Sequence, residues 1–158
     1  MVLPERRIEE LQRHLMLFFT GTSRIASEVA KSTIDNIRNK TAELTRIRAM
    51  VREAIAVLQS PTTPIEEFGR LLAESWEHKR ALSDKVSTPE IDAIYAAGRR
   101  AVAIGGKLLG AGAGGFFLLF AQPERHPSIR EALAHLVHVP FRFENGGSRV
   151  VLYQPDGF

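Results

Sequence analysis

Gly105-Gly-Lys-Leu-Leu-Gly-Ala-Gly-Ala-Gly-Gly115 is the stretch on which the reading of this chain turns. Six of its eleven residues are glycine. Backbone this free of Cβ atoms adopts φ > 0 without strain and can come close to a ligand. Successive amide N–H groups in such a loop form an anion-binding concavity, which suits phosphate. A tight turn between two packed elements is the plain alternative, but a turn needs only one or two glycines. Gly110, Gly112 and Gly115 also match the G-x-G-x-x-G spacing of dinucleotide folds. That fingerprint needs a strand before it and a helix after it. Here a strand follows, and no acidic ribose ligand lies in a following βαβ unit. Gly106-Lys107 leads to Leu108, where a P-loop requires Ser or Thr. The catalytic-loop and metal-binding motifs of protein kinases are absent.

Downstream, Phe116-Phe-Leu-Leu-Phe120 reads as an all-apolar strand ended by Gln122-Pro123. A helix is expected over 127–136 and an alternating strand over 137–143. A turn at Asn145-Gly146-Gly147 and a last strand over 149–153 follow, the Asn-Gly pair being a hairpin signal. Upstream, Pro4 opens a charged helical stretch over 5–13, and Leu15-Met-Leu-Phe-Phe-Thr20 is a buried strand stopped by Gly21. Thr22 and Ser23 can cap the helix that follows.

Residues 25–59 contain neither Gly nor Pro. Ile37, Leu44, Val51 and Leu58 recur every seven residues, with Ile34, Ile47 and Ile55 on the same side. This predicts one long core-facing helix, or two with a bend near Asn39-Lys40-Thr41. Thr41 and Arg48 interrupt the heptad and argue against a coiled coil. Thr63-Pro64 and Thr88-Pro89 are two further helix starts, each with acidic residues in its first turn. Strands mixed with helices in this way give an α+β sandwich.

Composition limits the function. The chain has 158 residues, 44% hydrophobic and 25% charged, which fits one domain over 1–158. Its 21 basic and 18 acidic residues are spread along it, so the net charge of +3 describes a solvated surface and no nucleic-acid partner. No apolar run approaches the ~20 residues a membrane span needs. There is no cysteine, so no disulfide, thiolate metal site or cysteine nucleophile, which suits a cytoplasmic location. His135 and His138 form H-x-x-H, but zinc needs a third ligand that is not evident, so no metal is expected.

Taken together, these segments resemble a known family. Gly106-Lys-Leu-Leu-Gly-Ala-Gly-Ala-Gly-Gly-Phe116 resembles the third, C-terminal motif of the GHMP kinases. Leu17-Phe-Phe-Thr-Gly-Thr-Ser-Arg24, Phe68-Gly-Arg-Leu-Leu-Ala-Glu-Ser-Trp-Glu-His-Lys-Arg-Ala-Leu-Ser83 and Ile91-Asp-Ala-Ile-Tyr95 resemble its heptose 7-phosphate kinase and fucokinase branch. So do Val139-Pro-Phe-Arg-Phe143 and Gly147-Ser-Arg-Val-Val-Leu-Tyr153. The resemblance spans nearly the whole chain in order. It implies a ferredoxin-like two-layer sandwich with an antiparallel sheet and inserted long helices, packed against a larger N-terminal domain. It implies phosphoryl transfer from ATP to a sugar phosphate, with ATP and Mg serving the full-length enzyme and none bound by this chain.

Family members hold the ATP phosphates in a segment of the form P-x-x-x-G-L-G-S-S-A, and this sequence has none. The resemblance therefore implies that the chain lacks the catalytic half, carries no catalytic residue and is inactive alone. An apolar face left by a missing partner domain would favour a homodimer. The expected phosphate loop is Gly106, Lys107, Gly110, Ala111, Gly112, Ala113, Gly114 and Gly115. Ala113 stands where the family usually has Gly. By the same resemblance Ser23, Arg24, Trp76 and Lys79 face the substrate. Bland alternatives stay open: a capping Ser23, a solvated Arg24, a core Trp76, and a Lys107 directed to solvent. A stand-alone binding module that kept the fold without catalysis is the other functional reading.

Overall fold

Leu15–Phe19, apolar throughout, forms strand β1 directly after helix α1 (Glu5–His14). The structure, a computed structural model, describes residues 3–21, 26–144 and 146–148. Beyond β1 come α2 (Ala26–Asn36), a 3-10 turn at Ile37–Asn39, α3 (Thr41–Gln59), α4 (Glu66–Arg80) and α5 (Pro89–Arg100). Then β2 (Gly105–Leu108) and β3 (Phe116–Phe120) flank the Gly-rich loop, and α6 (His126–Ala132) leads to β4 (Val137–His138). The sheet order is β2-β3-β1-β4 and every pairing is antiparallel. β1 and β2 thus run parallel with β3 between them, and β3 and β4 run parallel with β1 between them. This is the split βαβ arrangement of the ferredoxin-like sandwich, with α2 and α3 as the inserted helices.

Alternation along the strands sets the core. Met16 and Phe18 of β1, Phe117 and Leu119 of β3 and Leu108 of β2 share one face and are buried. Trp76, Ile91, Ile94, Ile129 and Leu133 cover them from α4, α5 and α6. A second cluster joins Leu11, Leu58, Ile65 and Phe120. Arg7 stitches it, donating to the carbonyls of Val57 and Thr63, each at 2.8 Å. At the end of the sheet Phe19 pairs with both Phe116 and Val137, placing three exposed apolar side chains in a row.

Several expectations need correction. The long helix does break, at Ile37–Asn39, but the heptad stripe is fully buried only at its last member, Leu58. Ile34, Ile37 and Val51 are exposed, while Met50 and Leu58 face inward. Thr63 does not cap α4. Its hydroxyl donates to Ser60 Oγ at 2.7 Å, and α4 starts one turn later, at Glu66. Thr88 does cap α5, accepting from the Ile91 N–H. The strand expected over 137–143 pairs only at Val137–His138. After Pro140, which has no N–H, the side chain of Gln12 takes over, binding the Phe141 carbonyl and the Phe143 N–H. The hairpin residue Asn145 and the last strand over 149–153 lie outside the described residues.

Helix α5 ends in a Schellman motif with an unusual residue. The Ala103 N–H bonds to the Gly98 carbonyl and the Val102 N–H to the Arg99 carbonyl, each at 3.0 Å. The residue in the left-handed position, normally glycine, is Val102, at φ 72°. Its exposed β-branched side chain gains nothing from burial to offset that strain. Val102→Gly is therefore expected to stabilise the fold by about 1 kcal/mol. This should raise the midpoint of thermal unfolding by roughly 2–4 °C. An unchanged or lower midpoint by calorimetry would contradict this.

Candidate functional site

The Gly-rich stretch divides into a strand and a loop. Gly105–Leu108 is β2, so only residues 109–115 form the loop, and a strand does precede it. The dinucleotide reading still fails, because β3 and not a helix follows. The glycines divide the same way. A Cβ on Gly105 would lie 2.0 Å from the Gly69 carbonyl oxygen of α4, and one on Gly106 would lie 2.6 Å from Leu119 Cδ2. These two serve packing. In the loop, Gly110, Gly112, Ala113 and Gly115 all have positive φ.

Three contacts fix the loop's shape. Thr20, at the end of β1, binds Gly115 in both directions: its N–H and hydroxyl donate to the Gly115 carbonyl at 2.9 and 3.0 Å, and its Oγ1 accepts from the Gly115 N–H at 3.1 Å. The Ala113 N–H donates to the Val86 carbonyl at 2.9 Å. Lys79, at the end of α4, donates to the carbonyls of Leu108 at 2.8 Å and Gly110 at 2.7 Å. The N–H groups of Gly110, Ala111, Gly112 and Gly114 bond to no described residue. Backbone donors left open on a rigid loop are what an oxyanion needs.

Two cations stand where the loop leaves β2. Lys107 leaves β2 beside the loop and reaches Ser75 Oγ at 3.3 Å. Neither it nor Lys79 has a carboxylate partner among the described residues. Burial, and then the neighbouring Lys107 charge, hold the Lys79 ammonium down to about 8, and burial lowers Lys107 as well. Among the described residues, no group of three or more His, Cys, Asp or Glu side chains could hold a metal ion. Two lysines beside the loop, with no carboxylate bonded to either among the described residues, do not fit magnesium.

The other site expectations fare unequally. Trp76 is fully buried, its ring 5.7 Å from Phe117 and 6.4 Å from Tyr95. A ring without exposed area does not meet a substrate; it belongs to the core between α4, α5 and β3. Lys79 meets the loop backbone, at the carbonyls of Leu108 and Gly110. Ser23 and Arg24 lie outside the described residues. The described residues on either side of them do touch the loop: Thr20 binds Gly115, and Val29 of α2 lies against Gly112. Sequence reasoning missed Val86, a residue with no chemical signature that holds Ala113 through its carbonyl.

The family model described as "GHMP kinases C terminal" matches residues 54–138. The chain belongs to the GHMP kinases. It is 30% identical over 127 residues to the D-glycero-alpha-D-manno-heptose 7-phosphate kinase of Campylobacter jejuni, covering 78% of this chain and 37% of that protein. It is 28% identical to the bifunctional fucokinase/GDP-fucose pyrophosphorylase of Arabidopsis thaliana, covering 80% and 12%. Among solved structures, the mevalonate kinase of Methanococcus jannaschii superposes with a TM-score of 0.72 at 24% identity, covering 88% of this chain and 43% of that one. The chain therefore spans little more than a third of the heptose kinase it matches. Among the described residues, no helix is long and apolar enough to cross a membrane.

In this GHMP kinase domain the loop glycines face different ways. A Cβ on Gly112 would lie 2.8 Å from the Val86 carbonyl oxygen and 3.1 Å from Val29 Cγ1, at φ 137°. One on Gly110, at φ 73°, would meet nothing within 4 Å. Gly110→Ala should cost about 1 kcal/mol, the strain of a left-handed alanine. Gly112→Ala should cost roughly 3 kcal/mol, since strain and a backbone clash combine. Denaturant unfolding of the two variants checks this, and equal costs would mean that Gly112 does not pack as described.

Proposed function

We propose that this chain is the acceptor-facing domain of a sugar-phosphate kinase that transfers the γ-phosphoryl group of ATP to a hydroxyl of D-glycero-D-manno-heptose 7-phosphate, in the synthesis of nucleotide-activated heptose. The observation that carries this reading is the set of open N–H groups at Gly110, Ala111, Gly112 and Gly114, beside two lysines without counter-ions. A phosphate dianion matches that charge and those donors. The heptose kinase and fucokinase relatives support a sugar acceptor.

Phosphoryl transfer asks a protein for positioning and for charge stabilisation. The residues of this domain would provide the first. The loop amides would seat the phosphate already on the sugar, and Ser23 and Arg24 would add a hydroxyl and a guanidinium to the substrate contacts. ATP and its magnesium supply the transferred group and the charge neutralisation. Their binding segment, together with the catalytic base or orienter, would belong to an N-terminal domain that this sequence does not contain. On this reading the chain alone does not turn over, and it works in the cytoplasm, where ATP and sugar phosphates are.

Titration of the 15N-labelled chain with heptose 7-phosphate should shift the amide resonances of residues 110–114 and leave those of β2 in place. The unphosphorylated sugar should shift neither. Loop shifts of equal size with both sugars, or none with either, would overturn the phosphate assignment.

The row formed by Phe19, Phe116 and Val137, 36%, 41% and 63% exposed, lies at the end of the sheet where the loop joins β3. We assign it to the contact with the N-terminal domain. Without that domain the row should drive self-association. Light scattering at high concentration should show a dimer, and Phe116→Ser with Val137→Glu should return it to a monomer. A parent chain that stays monomeric would remove this assignment.

A further inference from the structure

The loop is held by three contacts, and one of them differs in kind. Thr20–Gly115 and Ala113–Val86 join neutral groups. The bonds from Lys79 to the Leu108 and Gly110 carbonyls are charge-assisted, and therefore stronger. Peptide planarity gives them a consequence. The Gly110 carbonyl and the Ala111 N–H belong to one trans unit and point in opposite directions. An ammonium that draws the Gly110 oxygen toward α4 turns the Ala111 N–H away from α4. At Leu108 the same geometry points the Leu109 N–H at the Phe116 carbonyl, where it is bonded at 2.8 Å. Of the two units that Lys79 holds, one is therefore closed and the other presents an open donor.

We propose that Lys79 is a positioning residue, whose ammonium aims the Ala111 N–H at a bound phosphate ester while making no contact with the ligand itself. The inference rests on the phosphate-loop reading above. Other charged groups near Lys79 are engaged elsewhere or carry the same sign. Lys107 approaches from β2. On α4, His78 turns to Glu74 and Arg80 to Glu77. On α5, Asp92 binds Arg80, and Tyr95 packs on Trp76 and Phe117. Burial and Lys107 bring the Lys79 titration to about 8, so the hold is charged below that pH and loses its charge above it.

The test uses the 13C,15N-labelled chain between about pH 6.5 and 9.5. The carbonyl carbons of Leu108 and Gly110 should titrate together with the Lys79 side chain, and in Lys79→Met they should be flat. Glycerol phosphate is then the probe, since its second ionisation near pH 6 keeps it a dianion across most of this range. The parent chain should lose affinity about tenfold from pH 7 to pH 9.5, as expected for bonds that depend on a charged donor. Lys79→Met should bind weakly at every pH. Lys79→Arg keeps its charge throughout, and should bind with no such pH dependence even if the methionine variant folds poorly. Carbonyl resonances that ignore the ionisation of Lys79 overturn the proposal. So does a Lys79→Met chain that binds as the parent does, with the same pH profile. A parent chain that binds no phosphate ester at any pH overturns the loop reading itself, and with it the role of Lys79.

Discussion

Helix α4 can lie on strand β2 only because Gly105 carries no Cβ where they cross. The Gly69 carbonyl faces Gly105 there, and any side chain on Gly105 would enter it, while a side chain on Gly69 would enter the Phe120 ring of β3. That approach sets the height and register of the helix over the strand, and the residues that follow on α4 inherit it. Ser75 comes to Lys107, Trp76 to Phe117, and Lys79 to the carbonyls where the loop begins. A helix held even a methyl group further out would move the Lys79 ammonium off bonds of 2.7 and 2.8 Å. The packing of two glycines and the shape of the loop are in this sense one constraint.

That coupling shows why the loop was legible in the sequence and its internal roles were not. Glycine density announced a close backbone approach, but did not say what approaches. At Gly105 it is a helix, at Gly106 a leucine, at Gly112 the Val86 backbone, and at Gly110 open space. The assignments at Gly105 and Gly112 depend on segments distant in sequence. The fold itself was more readable, since apolar strands at 15–20 and 116–120 and the Thr88-Pro89 helix start are local signals. The heptad over α2 and α3 misled because seven-residue spacing cannot choose between faces of a helix that is bent at Ile37–Asn39. Thr63 misled because Ser60, three residues back, competes for its hydroxyl.

Trp76 and Lys79 show a different limit. Three residues apart on a helix, they were expected to share one substrate-facing side. The structure separates them by depth. Trp76 fills the core, and Lys79, one turn on, clears its edge and meets backbone carbonyls. The motif containing both packs the core and holds the loop backbone. Ala113 fits the same picture: a left-handed residue at φ 62°, buried against Val86, it holds the loop and does not line the opening.

The charge pattern separates this region from the rest of the domain. Elsewhere several arginines are matched by carboxylates. Arg46 lies between Glu53 and Glu74, which raises its proton affinity and lowers that of Glu74; Arg7 meets Glu10, and Arg80 meets Asp92. Among the described residues, Lys79 and Lys107 share a half-buried space with each other and with carbonyl dipoles. Two desolvated like charges destabilise a fold, and a carboxylate at either neighbouring helix position would relieve them. A site left cationic next to open loop amides has a local imbalance that a bound anion would correct. The cost in stability and the phosphate binding proposed for the loop thus have the same origin, two half-buried lysines with no carboxylate bonded to either among the described residues.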